Sequence, residues 1–73
     1  MVRVYVTYGY GTNLRNCYSV VEDETIDGAF EQINIVTGGK YAFTYQDEAD
    51  FQRQIKQYRL REVSLQPQVK LED

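Results

Sequence analysis

The stretch Tyr8-Gly9-Tyr10-Gly11-Thr12-Asn13-Leu14-Arg15-Asn16-Cys17 concentrates the groups of this chain that suit ligand capture. Gly9 and Gly11 let backbone N–H groups come close to a bound molecule, and Tyr8 and Tyr10 offer ring faces on which a base can stack. Thr12, Asn13, Arg15 and Asn16 supply donors matched to phosphate or ribose oxygens. Lys40, just after the pair Gly38-Gly39, is a further cation that the fold can bring nearby. No carboxylate occurs before Glu22, although the chain is acidic overall with a formal charge of −3. The chemistry indicated is retention of a small anionic, nucleotide-like ligand. A lone G-x-G has little specificity. The competing reading is a hairpin loop whose tyrosines pack on their own strands.

Catalytic constellations are missing from the sequence. The chain has no histidine, the commonest general base. The acid pairs Asp23/Glu24 and Asp47/Asp50 fall at predicted helix starts, where capping explains them. Cys17 is the only cysteine. It has no basic neighbour in sequence to activate it and reads as a packed small side chain. Gly39-Lys40 is not a phosphate loop, because Tyr41 stands where Ser or Thr is needed. The expectation is a non-enzymatic protein with no cofactor and no metal.

The elements that position these groups follow from periodicity. Val2, Val4, Val6 and Tyr8 alternate with Arg3, Tyr5 and Thr7, which predicts a first strand. Cys17–Val21 predicts a second, joined to the first by a loop longer than the usual two to five or so residues. Acids at 22–24 and Thr25 open a helix with Ile26, Ala29, Phe30, Ile33 and Val36 on one stripe, ended at Thr37-Gly38-Gly39. Gly28 weakens this helix. Lys40–Gln46 predicts a third strand with Tyr41, Phe43 and Tyr45 on one face. Asp47 caps a second helix whose stripe is Phe51, Ile55 and Tyr58, and Arg53, Lys56 and Arg59 face solvent. Glu62–Leu65 predicts a last strand before Pro67.

The order is therefore β-β-α-β-α-β, an α+β fold with a four-stranded mixed sheet and both helices on one face. Residues 1–66 form one domain and 67–73 a frayed tail, with Val69 and Leu71 able to add to a sheet edge. Two helices on one face leave the other face open. Tyr5, Thr7 and Tyr18 are the expected interface residues there, since tyrosine suits a surface that is buried yet hydrogen-bonded. A chain of 73 residues with one cysteine has little burial and no internal disulfide, which favours a homodimer or higher homo-oligomer.

The acidic balance argues against general nucleic-acid binding. The charge is split: Arg3 and Arg15 without acids in 1–21, then Glu22, Asp23, Glu24, Asp27 and Glu31 without bases in 22–31. No signal peptide pattern or membrane-length apolar run is present, and a lone thiol suits a reducing compartment, so the expected location is the cytoplasm.

Tyr8–Glu22, Val36–Tyr45 (Val-Thr-Gly-Gly-Lys-Tyr-Ala-Phe-Thr-Tyr) and Glu62–Gln68 (Glu-Val-Ser-Leu-Gln-Pro-Gln) resemble small accessory proteins encoded by bacteriophages. The resemblance covers most of the chain but brings no functional residues. It implies a context, the inhibition of host defence in the host cytoplasm. Such inhibition would proceed by sequestering a nucleotide immune signal or by occupying a host protein such as a CRISPR effector. The leading reading is the nucleotide-sequestering module. The alternative is a protein-binding inhibitor acting through the open tyrosine face or the acidic surface, and a structural accessory role is the third.

Overall fold

The alternating valines form the first strand, β1 (Val2–Thr7), with Val4 and Val6 buried on one side and Tyr5 buried on the other. The computed structural model describes residues 1–71. After β1 come β2 (Cys17–Asp23), α1 (Ile26–Thr37), β3 (Phe43–Tyr45), α2 (Glu48–Tyr58) and β4 (Arg61–Glu62). The fold is α+β with the expected order of elements. Its four strands form one mixed sheet in the order β3-β1-β2-β4. β1 is antiparallel to β2 and β3, whereas β2 and β4 are parallel.

The helices lie on opposite faces, which corrects the expectation that they share one. Val4, Val6 and Val21 pack with Ala29 and Ile33 of α1, flanked by Ile26, Phe30, Tyr41 and Leu65. On the other side Tyr5 stacks on Phe51 of α2, with ring centroids 4.4 Å apart. The connections explain the arrangement. β2, β3 and β4 all run one way, antiparallel to β1. The crossover through α1 moves across the sheet past β1, and the crossover through α2 moves back to the far edge. Two crossovers of the same hand that travel in opposite directions must use opposite faces.

Boundaries shift for identifiable reasons. β2 continues to Asp23 because Glu22 and Asp23 pair with Arg3 and Val2, and the Arg3 guanidinium lies 3.5 Å from the Glu22 carboxylate. α1 therefore starts later, with the Thr25 hydroxyl accepting from Gly28 N–H at 3.0 Å, and ends on Gly38 at φ 65°. Thr37 is buried in place of Val36, its hydroxyl donating to the Ile33 carbonyl at 2.6 Å. β3 begins only at Phe43 because Thr7 receives both Ala42 N–H on its carbonyl and Phe43 N–H on its hydroxyl. Tyr41, before that point, packs on the α1 side instead of sharing a face with Phe43 and Tyr45. β4 starts one residue early, where Arg61 N–H bonds the Asn16 carbonyl at 2.9 Å, and it closes at Glu62, so residues 63–65 of the expected strand lie outside it.

The segment after Pro67 is fastened to the loop rather than frayed. Thr12 and Lys70 form an antiparallel bridge, Asn13 N–H bonds the Val69 carbonyl and Leu71 N–H bonds the Gly11 carbonyl. The described part of the expected tail thus belongs to the domain, and Glu72 and Asp73 lie outside the described residues. No helix among the described residues is long and apolar enough to cross a membrane.

Candidate functional site

The Tyr8–Asn16 loop is built inward first. Tyr8 is 5 % exposed and packs with Leu14, Cys17 and Val63, and its hydroxyl shares a buried 2.7 Å hydrogen bond with Ser19. Thr12 is buried, donating to the Gly9 carbonyl at 2.7 Å and accepting from Leu14 N–H. The Gly9 N–H goes to the Gln68 side-chain carbonyl at 3.0 Å, and the Asn13 side-chain carbonyl takes Val69 N–H at 2.8 Å. These bonds use up the groups that the sequence offered for a ligand at Gly9 and Thr12, and they turn the Asn13 side-chain oxygen and backbone N–H toward the 68–71 segment. Gly11, Arg15 and Lys40 are exposed and do not line a cavity with the tyrosines.

What remains available faces α2. A cleft of about 200 Å³ lies between the loop, the start of β3 and the last turns of α2. Of the expected ligand residues, Tyr8, Tyr10 and Asn16 reach it, joined by Thr7 from the expected interface set. Phe43, Tyr45, Gln54, Tyr58 and Leu60 complete its walls, with Cys17 and Ala42. Three of its rings stand open to solvent: Tyr10 at 72 %, Phe43 at 66 % and Tyr58 at 44 % exposure. Asn16 is held at φ 64°, a left-handed conformation that asparagine tolerates better than most residues. Thr7 spends its hydroxyl on Phe43, donating to that carbonyl at 3.3 Å and accepting that N–H at 3.2 Å.

Phe43 and Tyr58 were read from the sequence as members of a strand row and a helix stripe, and Gln54 was not singled out. The signal that would have found them is surplus apolarity: Tyr58 ends a polar helix whose docking needs only Phe51, and Phe43 sits on an edge strand.

Tyr5, Thr7 and Tyr18 do not form an open face. Tyr5 lies at 5 % exposure beneath Phe51, and the Tyr18 ring meets the same phenylalanine edge-on at 5.1 Å. Tyr45 makes a third contact at 5.2 Å. The Tyr18 hydroxyl donates to Glu62 at 3.3 Å, and burial, with Glu62 adding to it, raises its pKa above the ordinary 10.0. The interface expected on these residues is thus covered by the chain's own α2.

Charge is distributed along the strand direction. Both helices start at one end of the sheet, together with Glu22, Asp23, Glu24, Asp27, Asp47, Glu48 and Asp50. The cleft lies at the other end, where six of the eight Lys and Arg residues sit: Arg15, Lys40, Lys56, Arg59, Arg61 and Lys70. Glu62 is the acid at that end among the described residues. No charged side chain lines the cleft itself. The arrangement offers an apolar, ring-lined slot under a positive rim.

No protein-family model, curated protein or solved structure matches this chain.

Proposed function

We propose that this protein is a non-enzymatic binding module that captures a small anionic, nucleotide-like ligand in the cleft between the loop and α2. The observation that carries this reading is the meeting of three exposed rings, Tyr10, Phe43 and Tyr58, in one cleft at the cationic end of the sheet. Stacking of a base on such rings stabilises a complex by about 1–3 kcal/mol per base. The Asn16 and Gln54 amides each carry donor and acceptor groups suited to a base edge. The ligand's phosphates lie outside the slot, toward Arg15, Lys40 and Arg59, where the field of the rim favours them. In the phage setting that the sequence resembles, such capture in the host cytoplasm would deplete a nucleotide immune signal. The alternative, a protein-binding inhibitor, keeps only the acidic end as its surface, because α2 covers the tyrosine face.

The test is thermal unfolding with ADP-ribose, cyclic oligonucleotides and mononucleotides, and with uncharged nucleosides and inorganic phosphate as controls. A ligand that binds only the native state at a hundred times its Kd adds about 2.7 kcal/mol and raises Tm. The expected result is a rise with one or more anionic nucleotides that is lost in Phe43→Ala and Tyr58→Ala and weakened both by salt and by Arg15→Ala. A flat response across the panel, or a rise untouched by Tyr58→Ala, removes the reading.

A further inference from the structure

The outer edge of β3 leaves strand backbone unpaired, and we propose that a second copy of this chain pairs there. In this arrangement β3 meets β3 antiparallel, with a two-fold axis at Thr44, and the two four-stranded sheets become one. The backbone is set for it. Tyr5 and Thr7 oppose Tyr45 and Phe43, and the Phe43 N–H points at Thr7, so alternation turns Thr44 N–H and C=O away from β1. A two-fold axis at Thr44 lets each of these N–H groups donate to the other copy's carbonyl.

The side chains agree with that register. Phe43, exposed at the edge, falls opposite Tyr45 of the partner subunit, and the symmetry makes this aromatic cross-strand pair twice. Antiparallel pairing also sets the cationic end of each copy beside the acidic end of the other. Lys40 shortly precedes β3 at the cationic end and Glu48 opens α2 just after β3 at the acidic end, so antiparallel pairing brings Lys40 of one copy to the side of Glu48 of the partner subunit at both ends. Both side chains are exposed, and Glu48 is otherwise engaged only with an exposed Arg3 at 3.8 Å among the described residues.

The opposite edge does not offer this. β4 has two residues, Arg61 and Glu62, both charged, and Pro67 soon follows. β3 carries neither charge nor proline between Phe43 and Tyr45, and α1 packs across β1 and β2, away from it. The joined sheet keeps both clefts on one face, each with the partner subunit's Tyr45 beside Phe43. The proposal stands on backbone, register and charge, and does not depend on what the cleft binds.

Sedimentation over roughly 1 µM to 1 mM tests it, a range that covers Kd values typical of weak and moderate association. The wild-type chain is expected to show a monomer–dimer equilibrium. Lys40→Glu or Glu48→Lys alone puts like charges together twice and is expected to weaken dimerisation about tenfold. The double variant Lys40→Glu/Glu48→Lys exchanges the charges across each pair and is expected to recover most of the loss. Thr44→Pro removes the outward donor and is expected to leave a monomer. Circular dichroism confirms that each variant is folded, and the charge-swap set decides the matter if Thr44→Pro is not. A wild type that stays monomeric throughout, single charge variants that dimerise as well as wild type, or a double variant with no recovery overturns the proposal.

Discussion

The two faces of the sheet are held by different means. On the valine side, α1 buries Ala29, Ile33 and Thr37 against an aliphatic cluster that reaches from Val4 to Val21, with Ile26, Phe30, Tyr41 and Leu65 around it. On the tyrosine side, α2 buries a single residue, Phe51, among three tyrosine rings. The first arrangement spreads its burial over many side chains, so no one of them decides whether the helix is docked. The second hangs a polar helix on one ring. That helix also forms a wall of the cleft through Gln54 and Tyr58. Binding segments are commonly drawn from the less stable parts of a fold. The tyrosine side is therefore the part expected to move with ligand.

Phe51→Ala is the sharpest way to break this comparison. Removing a fully buried phenylalanine costs about 3–5 kcal/mol, and here the same substitution removes the only buried anchor of α2. Ile33→Ala costs about 2–5 kcal/mol in a core that many other residues share. The expected difference is one of kind. In Phe51→Ala, amide exchange in α2 approaches that of an unfolded segment and the cleft is lost, while α1 and β1 keep part of their protection. In Ile33→Ala, protection falls throughout. Equal loss of protection in both helices of the Phe51 variant, read by hydrogen exchange, would show that the two faces unfold as one.

How far the sequence foretold this comparison depends on which residues are asked. The valine alternation and the α1 stripe were legible because period and burial coincide in Val4, Val6, Ala29 and Ile33. The faces were not, because strand order decides them and nothing in the local pattern reports that β4 lies beyond β2. The loop was half legible. Its composition marked a special segment, and Tyr10 and Asn16 do line the cleft. Gly9, Thr12 and Asn13 are engaged by the 68–71 segment or by the loop itself, contacts more than fifty residues apart in the case of Gln68 and Val69 that no window of sequence contains.

Gly28 sharpens the account of the valine side with a smaller effect. In a helix, Ala for Gly is ordinarily favourable by about 1 kcal/mol. A methyl group at Gly28 would run into the Asp23 carboxylate, which receives Thr25 N–H and the Gln32 amide. Moving that carboxylate gives up charge-assisted bonds that hold β2 to α1. Gly28→Ala is therefore expected to destabilise by about 1 kcal/mol, opposite in sign to its propensity. Denaturant unfolding reads the sign directly. A gain in stability would mean that the Asp23 contacts contribute little to docking α1.

The pH dependence of that same junction is the finest comparison of the two faces. Asp23 has its pKa lowered from an ordinary 3.8, chiefly by the Thr25 N–H and next by the Gln32 side chain, whose Nε2 lies 2.6 Å from Oδ2. A lowered pKa means that the folded state favours the carboxylate, so this stabilisation is present above 3.8 and fades as pH falls through the folded value. α2 is tied back to β1 by the exposed pair Arg3–Glu48 at 3.8 Å, a contact that salt screens. Gln32→Ala should thus lower stability at pH 7 by an amount that shrinks once the pH drops below 3.8, with little response to salt. Arg3→Ala should show a loss that disappears at high salt. If Gln32→Ala costs the same at pH 2 as at pH 7, the amide acts through packing alone, and the charge-assisted tie is no part of what distinguishes the valine side.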